Sequence, residues 1–267
     1  MIRAIALSNI GNSRENHEDN YLLGGHYLSA EQIESMGINR ETIYDELNIE
    51  GDYCVAISDG MGGYECGEEA SLQTVKYISN HYDELLNLVK QDYHNLKGFV
   101  TRLNNNFCQV AKANVETRAM GATLCCIVSV ENHMYGFNVG DSRIYRYCDG
   151  ILEQVSVDHT EGQRLFDLGL LTKDEVESFP KRKAIYKYIG KDIELIPDVF
   201  DMGMKQENTI YMMCSDGLSD VLDLNDIQDM LSKQHISTRD KAKFLVDMAV
   251  EQYQGCGDNI TLMMIEV

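Results

Sequence analysis

Four short runs rich in β-branched, aromatic and other apolar residues follow one another almost without interruption, at 122–130, 133–139, 143–148 and 151–155. The breaks between them are Glu131-Asn132, Gly140-Asp141 and Asp149-Gly150, residue types that form tight turns because they tolerate left-handed backbone. Parallel neighbours need a crossover of about a dozen residues or more, and these breaks are far shorter. The four runs are therefore expected to pair as an antiparallel meander, not as strand, helix and strand in alternation.

Further strands are expected at 2–8, 20–24, 53–58, 195–200, 209–214 and 260–266, the last apolar on both faces. Apolar residues recur three and four apart over 67–90, 93–117, 224–233 and 239–253, which predicts two pairs of helices. The combination reads as an α+β fold, an antiparallel β-sandwich flanked by pairs of helices. The stretch 161–194 is different: polar, with short helices expected at 161–168 and 173–178 and the basic run Lys181-Arg182-Lys183, it reads as a small subdomain over the main body. The only prolines are Pro180 and Pro197 and no Gly/Ser-rich tract occurs, so residues 1–267 are read as one domain. Segment 25–52 is longer and more polar than a strand connection needs and reads as a candidate insertion.

A surplus of 43 Asp+Glu over 23 Lys+Arg gives a formal charge of −20, which repels nucleic-acid phosphates and anionic lipid head groups and argues against either as partner. No run approaches the roughly 18 apolar residues of a spanning helix, and the opening Met-Ile-Arg-Ala-Ile-Ala-Leu-Ser is unlike a signal peptide. The eight cysteines include no Cys-x-x-Cys pair, and several lie in apolar runs such as Leu124-Cys125-Cys126-Ile127-Val128. They read as small buried hydrophobes in a reducing cytoplasm.

Acidic residues recur at strand ends or beside glycine: Glu18-Asp19, Asp59-Gly60-Met61-Gly62-Gly63, Gly140-Asp141-Ser142-Arg143, Ser215-Asp216-Gly217 and Gly257-Asp258-Asn259. Each alone is an ordinary turn. Gathered at one edge of a sandwich, the carboxylates would repel one another strongly unless cations sat between them. Oxygen donors without His or Cys suit Mg²⁺ or Mn²⁺ rather than zinc. Two such ions sharing an aspartate lower the pKa of a bridging water, which suits in-line displacement at phosphorus.

In order and wording these segments resemble the metal-dependent serine/threonine protein phosphatases of the PPM, or type 2C, family in its bacterial form, from Gly11 to Val267. The motifs that carry the likeness are Arg14-Glu15-Asn16-His17-Glu18-Asp19, Asp59 to Gly63 with Gly67-Glu68 and Ala70-Ser71, Gly121-Ala122-Thr123, Gly140 to Arg143, Asp158-His159, Ser215-Asp216-Gly217 and Asp258-Asn259-Ile260-Thr261. The resemblance implies hydrolysis of phosphoserine and phosphothreonine in proteins by a hydroxide bridging two Mg²⁺ or Mn²⁺ ions. It implies that Asp59 bridges both metals, that the Gly60 carbonyl joins one, and that Asp216 with Asp258 holds the other. Glu18 and Asp19 would position metal-bound waters, and Asp141 with Asp216 matches the pair that holds a third, weaker ion. Arg14 would grip the substrate phosphate, a task suited to a planar fork. Residues 161–194 match the family's flap. The implied partners are phosphorylated proteins and an opposing Ser/Thr kinase, with the chain acting as a monomer.

This sequence departs from the family pattern at His17, where asparagine is usual, at Tyr64, at Thr160, and at Met61, which occupies the place of a histidine general acid in animal-type members. His17 and the pair Asp158-His159 read as structural hydrogen-bonding groups, Arg143 as support for the Asp141 turn, and Lys181 to Lys183 as a solvated face. Two other readings stand beside the protein phosphatase: an inactive phosphoprotein-binding module, and a phosphatase of the same fold with a narrow regulatory or small-molecule substrate.

Overall fold

The structure is a computed structural model that describes residues 2–62, 66–113, 116–191, 194–252 and 257–267. Gly63, Tyr64 and Cys256, the last of the eight cysteines, lie outside the described residues. The chain begins with β1 (Ile2–Asn9), β2 (Asp19–Leu23), α1 (Ala30–Asn39), β3 (Ile43–Ile49) and β4 (Tyr53–Met61). Helices α2 (Gly67–Asn80), α3 (Tyr82–Gln91) and α4 (Asn95–Ala113) follow, then strands β5 (Gly121–Ala122), β6 (Leu124–Val130), β7 (His133–Val139), β8 (Arg143–Cys148) and β9 (Ile151–Gln154). Two short helices, α5 (Glu161–Asp167) and α6 (Lys173–Ser178), precede β10 (Asp198–Met204) and β11 (Ile210–Cys214). The chain closes with α7 (Asp216–Ser219), α8 (Leu224–Ser232), α9 (Thr238–Gln252) and β12 (Ile260–Glu266).

These strands make two antiparallel sheets, one ordered β3-β1-β12-β11-β8-β9 and the other β10-β7-β6-β4-β2, with β5 paired to β4. The expected four-strand meander does not form: β6 pairs with β7 and β8 with β9, but β7 and β8 belong to different sheets, because the chain crosses from one sheet to the other at Gly140-Asp141-Ser142, where Gly140 has φ of 105°. The turn within each hairpin takes the backbone its residues favour: Glu131 and Asn132 have φ of 50° and 67°, Asp149 and Gly150 of 51° and 83°. Alternation along each strand then sorts the apolar side chains into layers. Val55, Ile57, Ile127, Tyr211, Met213 and Met263 pack between the sheets. Cys54, Ala56, Cys126 and Val128 face the other way, onto Ala70, Val75, Ile78 and Phe99 of the α2 to α4 layer. Met212 and Met264 meet Ile227, Leu245 and Val246 of α8 and α9. The result is helices, sheet, sheet, helices.

Two further expectations need correction. The periodic stretch 67–90 is two helices, because the chain leaves helical backbone at His81, whose φ is −117° and whose Nδ1 lies 2.8 Å from the Tyr77 carbonyl oxygen. Segment 25–52 contains regular structure that was not anticipated. Ser29 and Gln32 form a capping box at the start of α1, and β3 pairs along β1 as an edge strand. Its sequence, Ile-Tyr-Asp-Glu-Leu-Asn-Ile, lacks strict alternation because an edge strand is only half covered.

Among the described residues no cysteine is in a disulfide, and all but Cys148 are buried. Burial pushes the Cys214 thiol up to about 12, so it behaves as an apolar group.

Candidate metal and phosphate site

Strand register gathers the acidic segments at one end of the sandwich. Asp19, the first residue of β2, stands directly opposite Asp59 near the end of β4. From the other sheet, Asp216 follows β11 and Asp258 precedes β12, and those two strands pair with each other. Asp141 lies in the turn that leads into β8, the neighbour of β11 on its other side.

Close backbone packing fixes the spacing. A Cβ on Gly60 would stand 1.8 Å from the Gly67 carbonyl oxygen, and one on Gly217 would stand 1.9 Å from that of Asn259. At Gly11, where φ is +76°, a Cβ would lie 2.1 Å from the carbonyl oxygen of Asp258. These glycines are in the motifs because backbone meets backbone there.

Three polar side chains, quoted within the motifs but given no role by sequence reasoning, position the acids. The Asn259 amide donates to the carbonyls of Ile10 (2.9 Å) and Asn16 (3.1 Å), while its oxygen accepts the Glu18 N–H at 2.8 Å. Thr123 Oγ1 accepts the Asp59 N–H at 2.9 Å, and the Asp59 carbonyl accepts the Thr123 N–H at 2.8 Å. Ser215 Oγ donates to Asp19 Oδ2 at 2.7 Å. Each sits beside or opposite an aspartate in sequence or register, which is the signal that could have found them.

The carboxylates are short of compensation. Burial, then the charges of Asp19, Asp216, Asp141 and Asp258, holds the Asp59 carboxyl well above the usual range. Burial pushes Asp19 up to about 8 against the opposing Ser215 bond, and pushes Asp216 up to about 6 with help from Asp220 and Asp258. Asp141 is raised well above normal by burial and by Asp216 and Asp158. Asp19 Oδ1 and Asp141 Oδ1 are buried and accept no hydrogen bond. Among the described residues no three such side chains already close around one point, but the donor chemistry and the uncompensated charge fit hard divalent cations.

Arg14 is at the rim, half exposed, with Nη2 2.8 Å from Asp258 Oδ2. That bond, with the charges of Asp258, Glu18 and Asp59, raises its pKa further. Glu18 is raised by burial, and its side chain packs where Gly67 leaves room, since a Cβ there would stand 2.2 Å from Oε1.

The departures find places too. His17 is fully buried, Nε2 bonded to Ser8 Oγ at 2.7 Å, and burial lowers its pKa to about 3, so it is a neutral structural group. Asp158 and His159 do not bond to each other. Asp158 receives Nε and Nη2 of Arg143 at 2.7–3.0 Å, whereas His159 Nδ1 accepts the Gly140 N–H at 2.9 Å and Nε2 lies 3.2 Å from Asp198. Lys181 to Lys183 are exposed, as expected of a solvated face, but Lys183 also forms an ion pair with Asp220, and with Arg182 it lines a cleft of about 210 Å³ that contains Asp141 and Asp216.

The sequence pattern of the protein phosphatase 2C family matches residues 46–249. The serine/threonine phosphatase stp of Listeria welshimeri is 27% identical over 214 residues, covering 79% of this chain and 83% of that protein. The crystal structure of the Mycobacterium tuberculosis serine/threonine phosphatase PstP/Ppp superposes with a TM-score of 0.78 at 25% identity, covering 100% of this chain and 99% of that one. A PstP catalytic domain in complex with two manganese ions superposes with a TM-score of 0.73 at 24% identity, covering 100% and 99%. The motifs that the fold brings to one end of the sandwich thus lie within a chain whose family pattern runs through most of its length, and this chain belongs to the protein phosphatase 2C family.

Proposed function

We propose that this chain is a metal-dependent protein phosphatase acting on phosphoserine and phosphothreonine. The observation that carries this reading is the set of five aspartates from both sheets, four of them held protonation-prone by burial and mutual repulsion, beside the guanidinium of Arg14. Asp59, the Gly60 carbonyl, Asp216 and Asp258 would hold two Mg²⁺ or Mn²⁺ ions, Asp141 with Asp216 a third, and Glu18 and Asp19 would orient water. Bound there, divalent ions supply positive charge that acidifies water and offsets charge on the phosphoryl oxygens. Arg14 binds the phosphate by charge-assisted hydrogen bonds, exchanging its Asp258 contact for the substrate. Asn259, Thr123 and Ser215 keep the acids in place and take no part in bond breaking.

The substrates are phosphorylated proteins, with an opposing Ser/Thr kinase as the functional counterpart. Because one chain carries every residue named, a monomer suffices, and residues 1–267 act as one catalytic domain with 161–194 as its flap. Among the described residues no helix is long and apolar enough to cross a membrane; buried cysteines outside any disulfide support a reducing cytoplasmic setting. The test is release of phosphate from a phosphothreonine peptide with Mn²⁺, with Mg²⁺ and with excess chelator. Turnover with metal, and loss of it with chelator or in Asp59→Asn by several orders of magnitude, is expected. Full activity in chelator would overturn the metal mechanism, and turnover of small phosphate esters alone would favour the narrow-substrate reading.

A further inference from the structure

Arg40 caps α1 in left-handed backbone, with φ 54° and ψ 32°, its N–H on the Met36 carbonyl. That position in a helix cap is ordinarily glycine or asparagine, because a Cβ crowds the following carbonyl there. The side chain explains why an arginine is found instead. Nη1 donates to the carbonyls of Gly11 at 3.0 Å and Asn12 at 3.3 Å, and Nη2 donates to the carbonyl of Arg14 at 3.0 Å. These carbonyls belong to the connection between β1 and β2 from which Arg14 reaches Asp258. A second contact is close by, since a Cβ on Gly37 would stand 3.0 Å from the Glu15 carbonyl oxygen. Three carbonyl dipoles converging on one place repel unless several donors meet them, and a planar guanidinium offers five in a fixed fork.

We propose that Arg40 is a positioning residue for phosphate capture, holding residues 11–14 in the shape that aims Arg14 at the site. Segment 25–52 then serves the active site as well as extending a sheet edge. The proposal rests on the reading of Arg14 as the phosphate-binding residue, so the test includes that residue.

The decisive variant is Arg40→Gly, which removes the guanidinium yet suits the left-handed cap better than arginine does, so the fold is not put at risk. KM and kcat for para-nitrophenyl phosphate with saturating Mn²⁺, competitive inhibition by inorganic phosphate, and the thermal midpoint are measured for Arg40→Gly, Arg40→Lys, Arg14→Ala and Arg14→Ala/Arg40→Gly. Arg40→Gly is expected to raise KM and the phosphate inhibition constant together by about three- to tenfold, with kcat within about twofold and an unchanged or higher midpoint. Arg40→Lys should fall between, because an ammonium does not span three carbonyls. In the Arg14→Ala background the Arg40 change should add almost nothing. An Arg40→Gly effect that persists in full without Arg14, or no effect where Arg14→Ala has a large one, overturns the proposal. No effect of Arg14→Ala itself overturns the Arg14 reading on which it rests.

Discussion

Gly60 and Gly67 touch backbone to backbone: a Cβ on the first would stand 1.8 Å from the carbonyl oxygen of the second. The end of β4, which carries Asp59, is thereby seated on the start of α2, and the Gly60 N–H reaches the Glu18 carbonyl at 3.0 Å. Gly60→Ala must push β4 away from both. A stability loss of about 1–3 kcal/mol is expected from overpacking, together with a larger loss of activity than of folded protein. Thermal unfolding beside a Mn²⁺ titration of activity reads both, and wild-type turnover would show that the contact is looser than described.

Asp141→Ala separates a metal ligand from a turn residue. The carboxylate is buried with one oxygen unsatisfied, so its removal should leave the thermal midpoint of the metal-free protein equal or raised. Turnover should nevertheless fall by at least about tenfold if the side chain helps hold a third ion. A wild-type rate across a Mn²⁺ titration, or activity lost only in step with folding, would decide for the turn.

The raised carboxylates set the pH dependence of the metal-free protein. Asp19 at about 8 and Asp216 at about 6, against an ordinary 3.8, bind more protons folded than unfolded between those values. Stability must therefore fall as pH rises from about 4 towards 8. Divalent ions compete with those protons, so Mn²⁺ should raise the midpoint most at pH 8 and least at pH 5. Thermal scans at both pH values, with and without metal, check the sign; a metal-free protein more stable at pH 8 than at pH 5 would contradict it.

Arg143 is clamped on Asp158 by three bonds and reaches the Ser219 carbonyl at 3.3 Å, mostly out of solvent. Arg143→Ala leaves Asp158 without its main partner and should cost about 3 kcal/mol. Arg143→Lys should recover only part of it, since an ammonium cannot match the fork. Chemical denaturation of the three proteins measures the difference, and a loss below about 1 kcal/mol would place the pair among ordinary surface contacts.

The hairpins β6-β7 and β8-β9, the sandwich and every aspartate of the site were legible in the sequence because turn residues and alternation are local signals, whereas the crossing between sheets at Gly140 to Ser142 reads locally as one more tight turn. Asp19 and Asp59 stand out beside a strand or a glycine, and their pairing follows from register. What was hidden depends on distance in the chain. Nothing around Arg40 announces that it will reach back to residues 11–14, and β3 gave no period because its second edge is open to water. The break at His81 was hidden for another reason: no glycine or proline marks it.

The position of β12 carries a kinetic consequence. The last strand in the chain lies between the first strand and β11, with Ala4 opposite Ile265 and Met213 opposite Met263. Until it inserts, β1 and β11 have nothing to join them, and Asp216 and Asp258 cannot meet. Such pairing closes a loop of nearly the whole chain, an entropically slow event. Competence should therefore arrive late and all at once, after synthesis of β12, and a ribosome-bound chain lacking residues 260–266 should be inert however well the β10-β7-β6-β4-β2 sheet has formed.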